Sequence, residues 1–290
     1  MALLNSDNYG DLAKVSSASA KREPGKFFSV FITGAAREGQ EFGKLQCMPS
    51  IDSGTYLINN ESKVYFIPYF TKRFWEKYVA AKGRDGKDFN TLVAFGWDDD
   101  VKKLDDTCKY AYVIAGVALD PKTKKALTHP KDIPDAKIKQ GDPIMIFFKC
   151  AGMRFNGASE FIKAISEKAK NLPPLSDKPE FERLVVMPRR FISYAEVVLA
   201  KSDFGDKQVF SFTPEIQLPD KAVEQVMNSA VSMQSEFEKQ FDRTSSVKGA
   251  GTGKPASDNS GSVPFESPGS AKTQTAAVDV ANDSNFDLGI

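Results

Sequence analysis

Histidine and cysteine are scarce in this chain: of 290 residues, one is His and three are Cys. The lone His129 lies beside Pro130 in a loop-like stretch and reads as a surface residue rather than a general base. Cys47, Cys108 and Cys150 are an odd, sparse set, which argues against a disulfide scaffold and for a reducing cytosol. None of these four is paired at the short spacing that lets two zinc ligands share a turn, so they predict neither a metal nor any other cofactor. Long apolar runs are missing too. The longest, Tyr110 to Leu119, is about half of the ~20 residues a membrane span needs. The start, Met1 to Asp7, has no basic segment followed by a long apolar one, so no secretory signal is expected and a cytoplasmic protein is. Net charge is nearly absent, with 39 Lys and Arg against 38 Asp and Glu. Only the distribution of charge can therefore indicate a partner.

Catalytic signatures are equally thin. There is no Gly-x-Ser-x-Gly, no His-Glu-x-x-His and no Cys-x-x-Cys. Gly251-Thr-Gly-Lys254 is followed by Pro255 and has no strand before it, so it is not a phosphate loop. The acidic run Asp98–Asp100 could bind a divalent metal for phosphoryl transfer; its other reading is a solvated turn. The balance favours a protein that is not an enzyme.

Composition divides the chain. Residues 1–24 lack core-forming content and read as a mobile arm carrying Lys21 and Arg22, which suit contact with a neighbouring copy. Residues 25–243 hold the apolar content of a folded body. From 244 to 282 Ser, Gly, Ala, Thr, Pro and Asn dominate, which predicts a disordered linker. Residues 283–290 form an acidic tip, with Asp283 and Asp287 interleaved with Phe286, Leu288 and Ile290.

The body reads as β-rich. Strands are expected at Phe27–Thr33, Leu45–Met48, Thr55–Ile58, Val64–Phe70, Lys109–Leu119 and Ile144–Lys149. Pro68 marks an edge or a bulge in the fourth of these. Arg183–Val186 is expected to lead as a strand into Phe191–Ala200, which forms a hairpin with Gln208–Thr213. Helices are expected at Ser159–Leu172, stopped by Pro173-Pro174, and at Lys221–Phe241, with an apolar stripe from Val223 to Phe241. Many short strands with few helices suggest a β-rich α+β body: a partly open barrel with helical insertions and a long C-terminal helix.

What is abundant is aromatic. Between Lys26 and Trp97 lie fifteen Phe, Tyr or Trp residues in 72 positions, about twice the 11% of the whole chain. The same window holds ten Lys or Arg against seven Asp or Glu. Mixing is tightest from Lys63 to Tyr78. Unpaired nucleic acid needs both elements, because bases stack on rings at ~1–3 kcal/mol each while cations neutralise the phosphates. Lys63, Tyr65, Tyr69, Lys72, Arg73, Trp75, Lys77 and Tyr78 are therefore the candidate contacts. The Phe residues read more readily as core. A second basic cluster runs from Lys163 to Arg190; Arg189 and Arg190, directly before a strand, are added to the set.

This layout resembles the single-stranded DNA-binding proteins of bacteria and their phages. Asp283, Phe286, Asp287 and Ile290 match the family's acidic tip with a Phe near the end, although the acidic run is thinner and ends in Leu-Gly-Ile. The resemblance implies an OB-fold body, possession of no catalytic activity, and a tip that recruits replication, recombination and repair enzymes. A flexible linker of ~40 residues has a reach of ~35 Å, so the tip could search for partners while the body stays on DNA. Two other readings stay open: a virion or scaffold protein with a disordered tail, and a nuclease centred on Asp98–Asp100.

Overall fold

The computed structural model describes residues 25–34, 42–47, 57–82, 88–97, 107–201 and 205–242. The arm, the linker, Asp98–Asp100 and the tip residues Asp283, Phe286, Asp287, Leu288 and Ile290 lie outside the described residues. Nine strands form one large open sheet: β1 (Phe27–Ile32), β2 (Leu45–Cys47), β3 (Ile58–Glu61), β4 (Lys63–Lys82), β5 (Asp88–Trp97), β6 (Lys109–Leu119), β7 (Met145–Ala151), β8 (Phe191–Ala200) and β9 (Lys207–Gln217). Among the described residues three α-helices accompany it: α1 (Arg154–Ala169), the single turn α2 (Pro179–Phe181) and the 22-residue α3 (Asp220–Phe241). The sheet order is β3-β2-β1-β7-β6-β4-β8-β9, with β5 paired to the far end of β4. No helix among the described residues is long and apolar enough to cross a membrane.

A closed barrel does not form, yet the sheet is strongly curled. Phe148 on β7 lies 5.4 Å from Phe210 and 5.2 Å from Phe212 on β9, ring centre to ring centre. Four strand spacings separate β7 from β9 in the sheet, about 19 Å if it were flat. Only curling brings those rings together. The concave side, face two, holds Phe66, Ile114, Phe148, Phe210 and Phe212, and α1 fills it with Phe161 and Ile165. Gly157 lets α1 sit against β9, because a Cβ there would collide with the Phe210 carbonyl.

Face one is covered by α3. Its stripe Val223, Val226, Met227 and Phe237 is fully buried against β4, β6 and β7. Phe237 stacks on Phe70 at 4.3 Å. The Gln240 side chain clamps β1, accepting from the Phe27 N–H at 3.0 Å and donating to the Phe27 carbonyl at 2.6 Å. Burying those four apolar side chains stabilises the docked helix by about 6–12 kcal/mol, so α3 is part of the fold rather than a loose cover.

β4 is the axis of the sheet. It runs for twenty residues, far beyond the expected Val64–Phe70. Its first turns pair with β8 at Lys63–Phe66 and its last with β5 at Phe74–Lys82, while β6 lines the other edge from Tyr65 to Glu76. Tyr69 is an extra residue where the register slips between Pro68 and Phe70, which is the bulge Pro68 foretold. Gly116 faces it; any side chain there would strike the Ile67 carbonyl.

Other expectations need correction. Arg183–Val186 is not a strand: Glu182–Val186 is a π turn and Met187–Arg190 a 3-10 turn, with Pro188 in its first positions. The Arg189 side chain bonds back to the Val185 carbonyl and closes this coil. β5 was not foreseen at all, and β3 sits three residues beyond its expected start. His129 is not on the surface; it is 2% exposed and packs 5.4 Å from the Phe28 ring.

Arg189 is buried with its guanidinium on the Tyr69 and Val185 carbonyls. Arg189→Met strips both acceptors, each worth ~1–3 kcal/mol when left unpaired in the interior. Urea unfolding is expected to lose about 2–6 kcal/mol with an unchanged denaturant slope. A loss under 1 kcal/mol would show that the bulge holds itself.

Candidate nucleic-acid interface

A strand presents alternate residues to opposite faces. Lys63, Tyr65, Tyr69, Arg73, Trp75 and Lys77 are all odd-numbered, so a regular strand would line them along one side. The Tyr69 bulge prevents this. Before it, odd residues such as Tyr65 and Ile67 face α3; after it, Phe70 and Phe74 do, so Lys72 takes that side while Arg73, Trp75 and Lys77 turn to face two. The candidate set therefore splits in two.

Four of its members leave the surface. Tyr69 is 2% exposed, and its hydroxyl shares a hydrogen bond with the Ser229 side chain. Trp75 is buried, its indole laid over Gly96 of β5, where a Cβ would clash. Arg189 is interior, as described above. Arg190 is 2% exposed, bonds Glu182 at 3.1 Å and donates to the Pro173 carbonyl at 2.9 Å. Glu182 in turn accepts from the Leu175 and Ser176 N–H groups. Both arginines were expected on DNA; they brace the coil before β8 instead.

Lys63 and Tyr65 form one surface group. Tyr65 pairs with Tyr194 of β8, ring centres 5.6 Å apart. The Lys63 ammonium lies 3.9 Å over Tyr194 and the Lys124 ammonium 2.9 Å over Tyr65. Lys63 also meets Glu196 at 3.8 Å. Burial pushes the Tyr65 phenol up, helped by Glu215, and burial draws the Lys124 ammonium down. The rings here are already capped by cations, and carboxylates stand close by.

Arg73 anchors the second group. Its guanidinium sits 5.4 Å from the Tyr110 ring centre, a cation–π contact across the β4–β6 ladder. Around them opens a cleft of about 530 Å³ lined by Arg73, Lys109, Tyr110, Gly152 and Phe155. Phe155 packs against Tyr112, rings tilted by 36° with centres 4.8 Å apart, which fixes the cleft's α1 wall. Its described lining holds two cations and two rings. Lys77, half-buried, shares this face; Lys72 and Tyr78, also half-buried, belong to the other by alternation.

Lys109, Tyr110, Phe155, Lys124 and Tyr194 were not anticipated. Lys109 and Tyr110 were legible only as the start of a strand; their meeting with Arg73 depends on a register that pairs residues nearly forty apart. Among the described residues no group of three His, Cys, Asp or Glu could hold a metal ion. Cys47 and Cys150 are buried, and burial pushes both thiols up, that of Cys150 to about 12. Comparison with protein-family models, curated proteins and solved structures finds no match to this chain.

Tyr69 gives the region a titration signature. Burial pushes its phenol up to about 12, above the ~10 of an unfolded tyrosine. Its contribution to stability is therefore complete below pH ~10 and is lost as pH rises from about 10 towards 12. Ultraviolet titration should show one of the eight tyrosines ionising last, and Tyr69→Phe should remove that step. All eight ionising together near pH 10 in a folded protein would contradict this placement.

Proposed function

We propose that this chain is a non-catalytic single-stranded DNA-binding protein, coating exposed strands in replication, recombination and repair. The observation that carries the reading is the cleft at Arg73, Lys109, Tyr110 and Phe155. Bases need ring faces and phosphates need cations, and this cleft offers both. Its open form suits a sequence-tolerant strand better than a small enclosed substrate.

The path of the chain supports an OB-like body. β4, β6 and β7 are three consecutive antiparallel neighbours, and β8 returns after α1 to lie beside β4. That spatial order is a Greek key, and β9 adds a fifth strand. An OB-fold is a partly open five-stranded Greek-key barrel that binds strands on the face of its second and third strands and through the loop joining the first to the second. The corresponding outer face of β6 and β7 lies under α3 here. The corresponding loop springs from the far end of β4, and Arg73, Lys109 and Tyr110 stand at its base. The proposed strand path therefore runs along that base.

The tip supplies the second half of the proposal. Phe286, Leu288 and Ile290 suit an apolar pocket on a partner enzyme, and Asp283 and Asp287 suit its basic rim.

Trp75 and Trp97 are the only tryptophans, and Trp75 lies on the Arg73 side of β4. Their fluorescence is expected to quench as oligo-dT is added, with steep weakening by salt. Tyr110→Ala should cost ~1–3 kcal/mol, roughly 5- to 150-fold in affinity. Arg73→Ala should also lower the salt slope by about one. Unchanged fluorescence and no gel shift at low salt would reject the reading. Removing Asp283–Ile290 should leave DNA affinity equal or higher while partner enzymes no longer co-purify; weaker DNA binding would overturn the role given to the tip.

A further inference from the structure

A second cavity, of about 310 Å³, opens on face one between α3 and the β7 side of the sheet. That volume is at the lower end of small-ligand pockets. Its polar floor is the Tyr69 hydroxyl, hydrogen-bonded to Ser229 of α3, with the rest of Tyr69 sealed in the core. Lys26 and Asp142, both half-buried, are its charged lining residues. Lys26 forms no ion pair among the described residues. Asp142 accepts from the Lys139 N–H at 2.8 Å through Oδ2, which leaves Oδ1 without a described partner. Met145 and Met233 supply polarisable thioethers, which favour contact with aromatic rings.

This set selects a ligand with three features: an anion for Lys26, a hydrogen-bond donor for Asp142, and a flat body that the thioethers can hold. We propose that the cavity binds one nucleotide unit, with its phosphate at Lys26 and an exocyclic amino group of its base donating to Asp142 Oδ1. The choice of a nucleotide among such ligands rests on the single-strand reading. The site itself is separate from the Arg73 cleft, on the opposite face of β4. Cytosine, adenine and guanine carry the required amino group; thymine does not.

Calorimetric titration of the full chain with dCMP, dTMP and inorganic phosphate tests this. Saturable dCMP binding is expected, about tenfold tighter than dTMP, because thymine offers Asp142 only a ring N3–H set between two carbonyls that repel a carboxylate. Lys26→Gln should weaken dCMP at least fivefold, and Met233→Trp, which fills the cavity from a half-exposed position of α3, should abolish it; unchanged melting temperatures show that both variants fold. Displacement of dCMP by oligo-dC assigns the unit to a bound strand, and simultaneous binding assigns it to the free mononucleotide; either upholds the site. Oligonucleotide binding with no dCMP binding, or dCMP binding no tighter than phosphate or untouched by both cavity variants, overturns this inference and leaves the single-strand reading standing. Binding of dCMP without any oligonucleotide binding does the reverse.

Discussion

One extra residue in one strand governs where the chemistry of this protein can lie. At Tyr69 the β4 backbone bulges, and the carbonyl released from the ladder is taken by a buried guanidinium from Arg189. The inserted residue exchanges the two faces of every later position on β4. It sends Arg73 to the concave side, where Tyr110 waits, and leaves Tyr65 on the side of α3. An unpaired carbonyl at that depth would cost ~1–3 kcal/mol, so the bulge and Arg189 belong together. The neighbouring pair Arg190–Glu182 does the same for the Pro173–Ser176 turn, with the Glu182 carboxylate accepting two backbone N–H groups as well. Two arginines that look basic and exposed in sequence are thus interior braces.

α3 makes the second decision. Its stripe lies on the outer face of β4, β6 and β7, the broad aromatic surface that would otherwise be most available to a strand of bases. Phe27, Phe70, Phe237 and Phe241 meet there edge to face, tilted or stacked, with centres 4.3–6.1 Å apart. The ring-rich composition of residues 26–97 is spent largely on this seam and on the concave core around Phe66 and Phe148. Aromatic abundance therefore reports core demand first and binding second.

The sequence was readable where packing and periodicity agreed. β6, a continuous apolar run buried on both faces, lies at its expected bounds, and the buried stripe of α3 is the expected one. It was unreadable where the fold depends on distant partners. The stretch from Thr71 to Lys82 has charges among its rings and no strict alternation, yet β5 and β6 hold it as strand. The π turn at Glu182 carries β-prone Val185 and Val186, but Arg189 captures its Val185 carbonyl and overrides that preference. Arg73 and Lys63 were found as cations among rings; Tyr110, Phe155, Tyr194 and Lys124 were not, because each reaches its site only through sheet register, the start of α1 or the turn after β6.

Between the two surface groups, electrostatics decides. At Tyr65 and Tyr194 the ammonium groups of Lys63 and Lys124 already occupy the rings, and Glu196 and Glu215 balance them. A phosphate arriving there meets a neutral patch, and a base would first have to displace a cation. At the Arg73 cleft the described lining residues carry two positive charges, and Phe155 supplies a second ring. A chain whose net charge is only +1 gains little long-range attraction for a polyanion, so affinity has to come from such a local imbalance. With a Debye length of about 8 Å at physiological salt, one cleft can present its own sign regardless of carboxylates elsewhere on the molecule.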